Sequence, residues 1–401
     1  MSQDAGSYDA SHIEVLEGRE AVRRRPGMYI GSIGERGLHE LVFEVGNQAV
    51  NEVLAGRASH VAITLTPDGG VRVAVDGPGV PFEDAAGLGG PGLGAQLTRM
   101  CMGPRTVGRD AALVGRLRVG LFVVTALSSR LTAEVRREGV LKVQEFARGV
   151  AVAPPAEAGP VDDSGTVITF WPDADIFETT QVAFDTLVER FRELAFLNRS
   201  LDISLSDERR PGESRSVQCR FPGGAGDFVA FLDQQAGTPV DPEVIRFERE
   251  DERMSGTMEV AFRWRASQEE RVRTFVNSHP TVAVSTHELG FRDGVTVAVN
   301  AYAREQRRLT ASDPDLQADR IVEGLTAVVS VKLDHPEFMG ATRGALGNPG
   351  VRACVEEATR EHLGNWLREH PKRADAVLDR ILQGVRQSGS STPSRSGHVR
   401  L

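Results

Sequence analysis

The sequence predicts an α+β protein made of two domains. The chain has 401 residues, more than one hydrophobic core of ordinary size accommodates, so two cores are expected. Segments whose apolar residues recur at helical spacing, and segments that alternate apolar and polar residues, occur in both halves of the chain. A hydrophobic fraction of 40% and a charged fraction of 26% are typical of a globular protein. We therefore expect helices and strands to be mixed in each domain.

Composition and pattern locate the domain boundaries. We predict an N-terminal arm over residues 1–19, a first domain over 20–219 and a second domain over 220–388. Residues 389–401 are rich in glycine, serine and proline, which indicates a disordered tail.

Charge and cysteine content narrow the class of protein. A net charge of −9 argues against a main role in coating nucleic acid, because phosphate backbones are bound chiefly by excess lysine and arginine. The three cysteines are widely spaced and form no metal-ligand pattern, so neither a zinc site nor a disulfide framework is expected. The sequence contains no run of eighteen apolar residues and no signal-peptide pattern. We expect a cytoplasmic protein.

The elements of the first domain follow from its patterns. Residues 38–56, LHELVFEVGNQAVNEVLAG, have apolar residues at helical spacing and end on a glycine, as a C-cap does. Residues 60–79, HVAITLTPDGGVRVAVDGPG, predict a β-hairpin that turns at DGG. Residues 87–120 are rich in glycine and arginine, which is typical of a mobile loop flanked by short helices. We also predict a helix over 13–24, strands over 130–136, 141–148 and 166–171, and a helix over 177–197.

The second domain is expected to alternate strands and helices. The predicted strands include MEVAFRW at 258–264 and VAVNAYA at 297–303. The predicted helices include LQADRIVEGLTAVV at 316–329 and further helices near 350–385. This half is therefore expected to be a second α/β domain.

Four stretches resemble one protein family. Residues 8–32, YDASHIEVLEGREAVRRRPGMYIGS, are similar to the opening of bacterial gyrase B proteins almost residue for residue. RFRELAFLNRSLDISLSDER at 190–209, STHELGFRDG at 285–294 and VEGLTAVVSVKLDHPEF at 322–338 resemble later parts of the same family. The resemblance implies a GHKL (Bergerat) ATPase-type α/β sandwich followed by a ribosomal S5-like transducer domain. It also implies ATP and Mg²⁺ as ligands.

The sequence covers only part of the pattern of that family. Full-length members continue into a TOPRIM domain with an acidic metal-binding cluster, and then into a tail that engages the DNA-cleaving subunit. This sequence stops before both of them. We therefore expect a protein that stands alone and is not a complete topoisomerase.

The resemblance implies roles for two side chains of the long helix. In the family this helix carries a general base that activates the attacking water, and four residues on it carries an asparagine that holds magnesium. These positions are Glu44 and Gln48 here. A carboxylate at Glu44 can polarise a water, or it can be a structurally paired glutamate. Gln48 has an extra methylene that moves its carbonyl oxygen, and magnesium demands near-ideal octahedral geometry, so we expect catalysis to suffer.

The end of the second hairpin strand departs further from the family. There an Asp-x-Gly-x-Gly turn places its aspartate to accept a hydrogen bond from the adenine amino group. Val75 stands at that position and offers no acceptor. Asp76 follows it, and it is expected to point to the opposite face, because side chains alternate along a strand. Gly77, Gly79 and Thr166 match the family, so the turn itself is expected to be kept.

The phosphate end of the implied pocket differs most. The family closes over the triphosphate with Leu-His-Gly-Val-Gly, whose backbone amides approach the phosphates. This chain has RLRVG from Arg116 to Gly120, and Arg118 fills a position where glycine permits close approach. A Gln-Thr-Lys loop that reaches the terminal phosphate is Ala-Thr-Arg here, and Arg343 keeps the charge without the geometry of lysine. These arginines either receive another anion or form a solvated loop face.

These changes indicate a pocket that has been released from ATP hydrolysis, and three functions stay open. The first is a repurposed paralogue whose pocket binds or transforms another small molecule. This paralogue would be a dimer through its arm, in which Tyr8 and Ile13 match positions that embrace the partner subunit. The second is a slow ATPase or nucleotide-gated clamp, with Glu44 as base and Arg343 on the phosphate. The third is a modulator that forms mixed dimers with a genuine gyrase subunit.

Overall fold

The structure consists of two compact units. It is a computed structural model that describes residues 18–84, 91–100, 120–210, 212–234, 238–340 and 344–389, with side chains up to residue 383. The first unit holds the described residues up to 100, together with 120–189 and 202–218. The second unit holds residues 190–201 and the described residues from 219 onward. The predicted domain boundaries stay a prediction.

The first unit contains one large sheet and several helices. Its elements are α1 (Gly18–Arg24), α2 (Gly27–Ile30), α3 (Glu35–Leu54), β1 (Val61–Leu65), β2 (Val71–Val75), α4 (Leu93–Thr98), α5 (Leu121–Leu127), β3 (Ser128–Arg137), β4 (Val140–Ala147), β5 (Val150–Ala151), β6 (Ala156–Pro160), β7 (Gly165–Pro172), α6 (Phe184–Leu197), β8 (Ile203–Asp207) and β9 (Arg215–Cys219). The residues of α6 from 190 onward, and the last residue of β9, belong to the second unit.

The sheet of the first unit has nine strands among the described residues. Their order is β5-β4-β3-β7-β2-β1-β8-β9, with β6 beside β4. The predicted hairpin is present, since β1 and β2 pair antiparallel from Val61 opposite Val75 to Leu65 opposite Val71. Helix α3 covers these two strands and buries the apolar face that its helical spacing predicts. The core of the unit therefore lies between α3 and one face of the sheet.

Helix α6 begins at Phe184, and the prediction of a helix from residue 177 was wrong. The amide of Glu178 donates to the carbonyl of Ile33 at 3.1 Å, and the amide of Ala183 donates to Nε2 of His39 at 3.0 Å. These bonds tie the segment to other parts of the unit, so its backbone groups are satisfied outside a helix. Burial lowers the pKa of His39, against an opposing charge effect of Glu35, and a neutral ring is what this bond requires.

The second unit combines a five-stranded sheet with three long helices among its described residues. Its further elements are α7 (Ala225–Asp233), β10 (Ile245–Asp251), β11 (Gly256–Trp264), β12 (Arg271–Val276), β13 (His279–Pro280), α8 (Thr286–Glu305), α9 (Ala318–Ile321), β14 (Leu325–Leu333), β15 (Phe338–Met339), β16 (Ala345–Leu346), α10 (Pro349–Glu369) and α11 (Pro371–Gly389). The sheet order is β10-β11-β14-β12-β13, and β15 pairs with β16 separately. None of the described helices is long and apolar enough to cross a membrane.

Two element predictions in this unit were wrong. The stretch VAVNAYA lies inside α8, where Val295, Val299 and Tyr302 are buried and Val297 is 43% exposed. Its alternating valines suggested a strand, but burial here follows the helical period. The predicted helix over 316–329 is the short α9 followed by β14, whose residues are almost all buried because helices cover both faces of the sheet.

Helices α8 and α10 approach each other closely. A Cβ atom added to Gly290 would lie 2.3 Å from the carbonyl oxygen of Arg352. A Cβ atom added to Gly294 would lie 2.6 Å from the carbonyl oxygen of Glu356. The backbones can pack this tightly only because both positions are glycine.

Candidate functional site

Helix α3 presents the two side chains to which the resemblance assigns chemistry. Glu44 and Gln48 are four residues apart, so they lie on the same side of the helix, one turn from each other. Oε1 of Glu44 accepts a hydrogen bond of 3.0 Å from the backbone amide of Gly120. Gly120 comes directly before α5 and has a φ of +76°, a conformation that favours glycine. The carboxylate of Glu44 therefore holds the start of α5.

The side chain of Gln48 is bound to another glutamine. Its Nε2 donates to Oε1 of Gln96 in helix α4. Nε2 of Gln96 in turn donates to the carbonyl of Pro91 at 2.8 Å. Gln48 thus ties α3 to α4. Gln96 was not expected at this site, because its only signal in the sequence is an amide side chain within a short, otherwise apolar segment.

Val75 lies at the end of the buried face of strand β2. Its side chain is 8% exposed and continues the inward row of Val71 and Val73. It stands opposite Thr166 on β7. Oγ1 of Thr166 accepts a 2.9 Å hydrogen bond from the amide of Val80, so the threonine secures the chain just after the turn. The position that the resemblance assigns to the adenine acceptor is therefore apolar.

The carboxylate of Asp76 is engaged away from this row. It accepts from the amide of Ser59 at 2.7 Å, from the amide of His60 at 2.9 Å, and from the hydroxyl of Ser59. Burial raises the pKa of Asp76, but these hydrogen bonds outweigh it and hold the pKa below its usual value. The side chain fastens the segment before β1 and does not replace an acceptor at Val75.

The two glycines of the turn are required by the fold itself. Gly77 has a φ of +105°, and a Cβ atom there would lie 2.5 Å from the carbonyl oxygen of Arg57. Gly79 has a φ of +73°, and its Cβ atom would lie 2.6 Å from the carbonyl oxygen of Arg136. The turn therefore needs glycine at both positions whether or not a nucleotide binds.

Several predicted site residues lie outside the described residues. They are Arg116, Arg118 and Arg343 at the phosphate end, and Tyr8 and Ile13 of the arm. Their roles stay predictions. In the described part of the chain, no group of three or more histidine, cysteine, aspartate or glutamate side chains is placed to hold a metal ion.

Comparison with solved structures identifies the family. The 43K ATPase domain of Thermus thermophilus gyrase B, in complex with an aminocoumarin, is 30% identical with a TM-score of 0.77, and the match covers 94% of this chain and 97% of that domain. The chain belongs to the DNA gyrase B family. The family model described as DNA gyrase B matches residues 224–392. The predicted fold class, a GHKL ATPase-type sandwich followed by a ribosomal S5-like transducer domain, is confirmed.

Full-length relatives show how much of the family pattern is present. The DNA gyrase B protein of Streptomyces coelicolor is 43% identical over 397 residues, which covers 95% of this chain and 58% of that protein. The novobiocin-sensitive gyrase B protein of Streptomyces niveus is 41% identical over 401 residues, with coverage of 95% and 59%. The topoisomerase IV ATP-binding domain of Francisella tularensis has a TM-score of 0.73 at 28% identity, and the match covers 93% of this chain and 98% of that domain. The chain thus spans about three fifths of the length of these gyrase B proteins.

Proposed function

We propose that the pocket of the first unit no longer turns over ATP and instead binds another small molecule. The observation that carries this proposal is the strand end, where Val75 stands at the implied adenine acceptor and Asp76 is bound to Ser59 and His60. A hydrogen bond to a charged group is worth about 1.5–3 kcal/mol, so its loss lowers affinity by roughly ten- to over a hundredfold. Adenine would lose its specific anchor.

The two implied catalytic positions support the proposal. Glu44 holds the start of α5 through Oε1, so the fold accounts for this carboxylate without a role in catalysis. Gln48 holds Gln96 with its amide, and its longer side chain displaces the oxygen that magnesium would need. ATP and Mg²⁺ therefore do not fit these residues in the way that the resemblance implies. We further propose that the chain forms a homodimer through its arm, as Tyr8 and Ile13 suggest.

Calorimetry with magnesium-ATP tests the proposal directly. The full chain is expected to show no micromolar affinity and no phosphate release above that of Glu44→Ala. The matched control is Glu52→Ala, which removes a carboxylate that pairs with Arg57 near the end of the same helix. Val75→Asp should recover nucleotide affinity by at least about tenfold if the missing acceptor is the cause. Micromolar affinity in the unaltered chain would overturn the proposal.

A slow ATPase is the second candidate, and one contact favours it. The Glu44 carboxylate lies beside the Gly120 amide, so a base and a backbone donor are next to each other in the first unit. In that case the unaltered chain would release phosphate slowly, Glu44→Ala would abolish the release, and Glu52→Ala would leave it unchanged. The same set of proteins therefore separates the two functions.

A further inference from the structure

We propose that the strand end of this pocket selects a planar, uncharged heterocycle that presents a carbonyl oxygen where adenine presents an amino group. The proposal rests on the proposed function, because it assigns a ligand class to the same pocket. It concerns three residues in one row of the sheet, Val75, Thr166 and Val135.

The register places these three side chains on a single face. Thr166 stands opposite Val75 on one side and opposite Val135 on the other, and directly opposite residues of antiparallel strands share a face. This is the face of β2 that α3 covers. Val75, Val135 and Thr166 are 8%, 3% and 6% exposed. A flat ligand that reaches the row therefore meets one hydroxyl between two valines.

The hydrogen bonds of Thr166 determine what this row can recognise. Its oxygen already accepts the amide of Val80 at 2.9 Å, which leaves the hydroxyl proton and one lone pair. A ligand carbonyl would take the proton and leave only the lone pair unused. A ligand amino group would take the lone pair and leave a buried O–H beside two valines, and an unpaired buried donor is the costlier case.

The neighbouring carboxylate does not alter this preference. Asp76 comes next in the chain, but its oxygens accept from Ser59 and His60. Turning it toward the row would leave these two backbone amides without their acceptor. The row therefore offers a donor to the ligand and no charged acceptor.

Three purine nucleosides test the preference without any phosphate. Inosine carries a carbonyl at the 6-position, adenosine an amino group and purine riboside neither. Binding to the full chain is measured by ligand-observed NMR at millimolar concentration. We expect inosine to bind about tenfold more tightly than adenosine, with purine riboside between them.

Three variants assign the preference to two named residues. Thr166→Val should bring the ratio of inosine to adenosine affinity close to one, and Thr166→Ser should keep it. Val75→Asp should invert it, because a carboxylate accepts the amino group and repels the carbonyl. Melting curves check that each variant is folded. If Thr166→Val does not fold, Val75→Asp still tests the proposal.

The outcomes separate this inference from the function on which it rests. A preference for adenosine, no inosine signal at millimolar concentration, or a ratio that Val75→Asp leaves unchanged would overturn the inference. If any of these three outcomes were observed and the chain did not turn over ATP, the proposed function would still stand. Turnover of magnesium-ATP by the unaltered chain would instead overturn the proposed function.

Discussion

Two regions contain glycine because the backbone passes close to a carbonyl oxygen: the turn after β2 in the first unit, and the helix pair α8 and α10 in the second unit. They differ in what lies next to the glycines. Gly77 and Gly79 pass close to carbonyl oxygens of their own unit, as Gly290 does in α8. The close contacts of Gly290 and Gly294 in α8 are with the backbone of α10. The turn lies beside the row of Val75, Thr166 and Val135, where we propose that a ligand binds. Backbone packing requires glycine in both regions, whereas the side chains beside the turn are, by the proposed function, no longer used for ATP.

The largest expected effect is on the helix pair. In Gly294→Ala the new methyl group would meet the carbonyl oxygen of Glu356 at 2.6 Å and Cβ of Thr359 at 2.8 Å. Overpacking of this kind costs about 2–3 kcal/mol, which urea denaturation would measure. The matched control is Gly364→Ala in α10, whose methyl group would meet only the flexible end of Arg368 at 3.1 Å. That control should be neutral or stabilise the helix by up to about 1 kcal/mol. Equal losses in both variants would contradict the close packing.

The next effect depends on pH and comes from the first turn of α8. His287 is fully buried, neither ring nitrogen has a hydrogen-bond partner among the described residues, and burial lowers its pKa from 6.5 to about 3. The unfolded chain takes up this proton below pH 6.5, and the folded chain takes it up only near pH 3. Stability from the neutral ring is therefore complete above pH 6.5 and is lost as pH falls, by about 2 kcal/mol at pH 5.

Denaturation at about pH 7 and about pH 5 tests this titration. His287→Leu should lose less stability between the two values than the unaltered chain does, by about 2 kcal/mol. His335→Leu serves as the control, because His335 is exposed and lies outside the two helices, so this variant does not alter the buried ring. A pH dependence that His287→Leu does not alter would show that the ring takes up its proton as readily in the folded chain as in the unfolded chain.

The smallest expected effect is the loss of the hydrogen bond between Glu44 and Gly120 in the first unit. Glu44→Gln weakens the acceptor of the Gly120 amide and should cost about 1.5 kcal/mol, with faster hydrogen exchange at the start of α5. Glu52→Gln removes a charge from an exposed pair with Arg57 and should cost no more than about 1 kcal/mol. If Glu44→Gln leaves exchange at Gly120 unchanged, the carboxylate does not hold this segment in solution.

The sequence predicts correctly those elements whose hydrophobic period fits only one type of secondary structure. The apolar face of α3 and the β1–β2 hairpin have clear periods and turn residues, and both are present. The stretch around Val297 was predicted as a strand because it has β-branched residues at alternate positions. It is helical because α8 packs against α10, a contact that the local sequence does not indicate. Burial on both faces of the sheet likewise made β14 resemble a buried helix.

Within the candidate site, the sequence predicts residue types but not their partners. The alternation of side chains along a strand was enough to expect Asp76 away from Val75. Nothing local shows that Ser59 and His60 would engage it, since they lie in another part of the chain. The bonds from Gln48 to Gln96 and from Gly120 to Glu44 join segments that only the tertiary fold brings together.

The path of the chain through α6 bears on how the protein can be shortened. Residues 190–201 belong to the second unit, although residues 202–218 return to the first. Phe196 stacks on Phe221 at 3.8 Å and on Phe228 at 4.7 Å, and Asn198 donates to the hydroxyl of Ser278. A fragment ending at residue 219 would keep Phe196 but lose these partners. Its newly exposed aromatic surface would promote aggregation, so a soluble first unit would require a polar substitution at Phe196 as well as a stop codon.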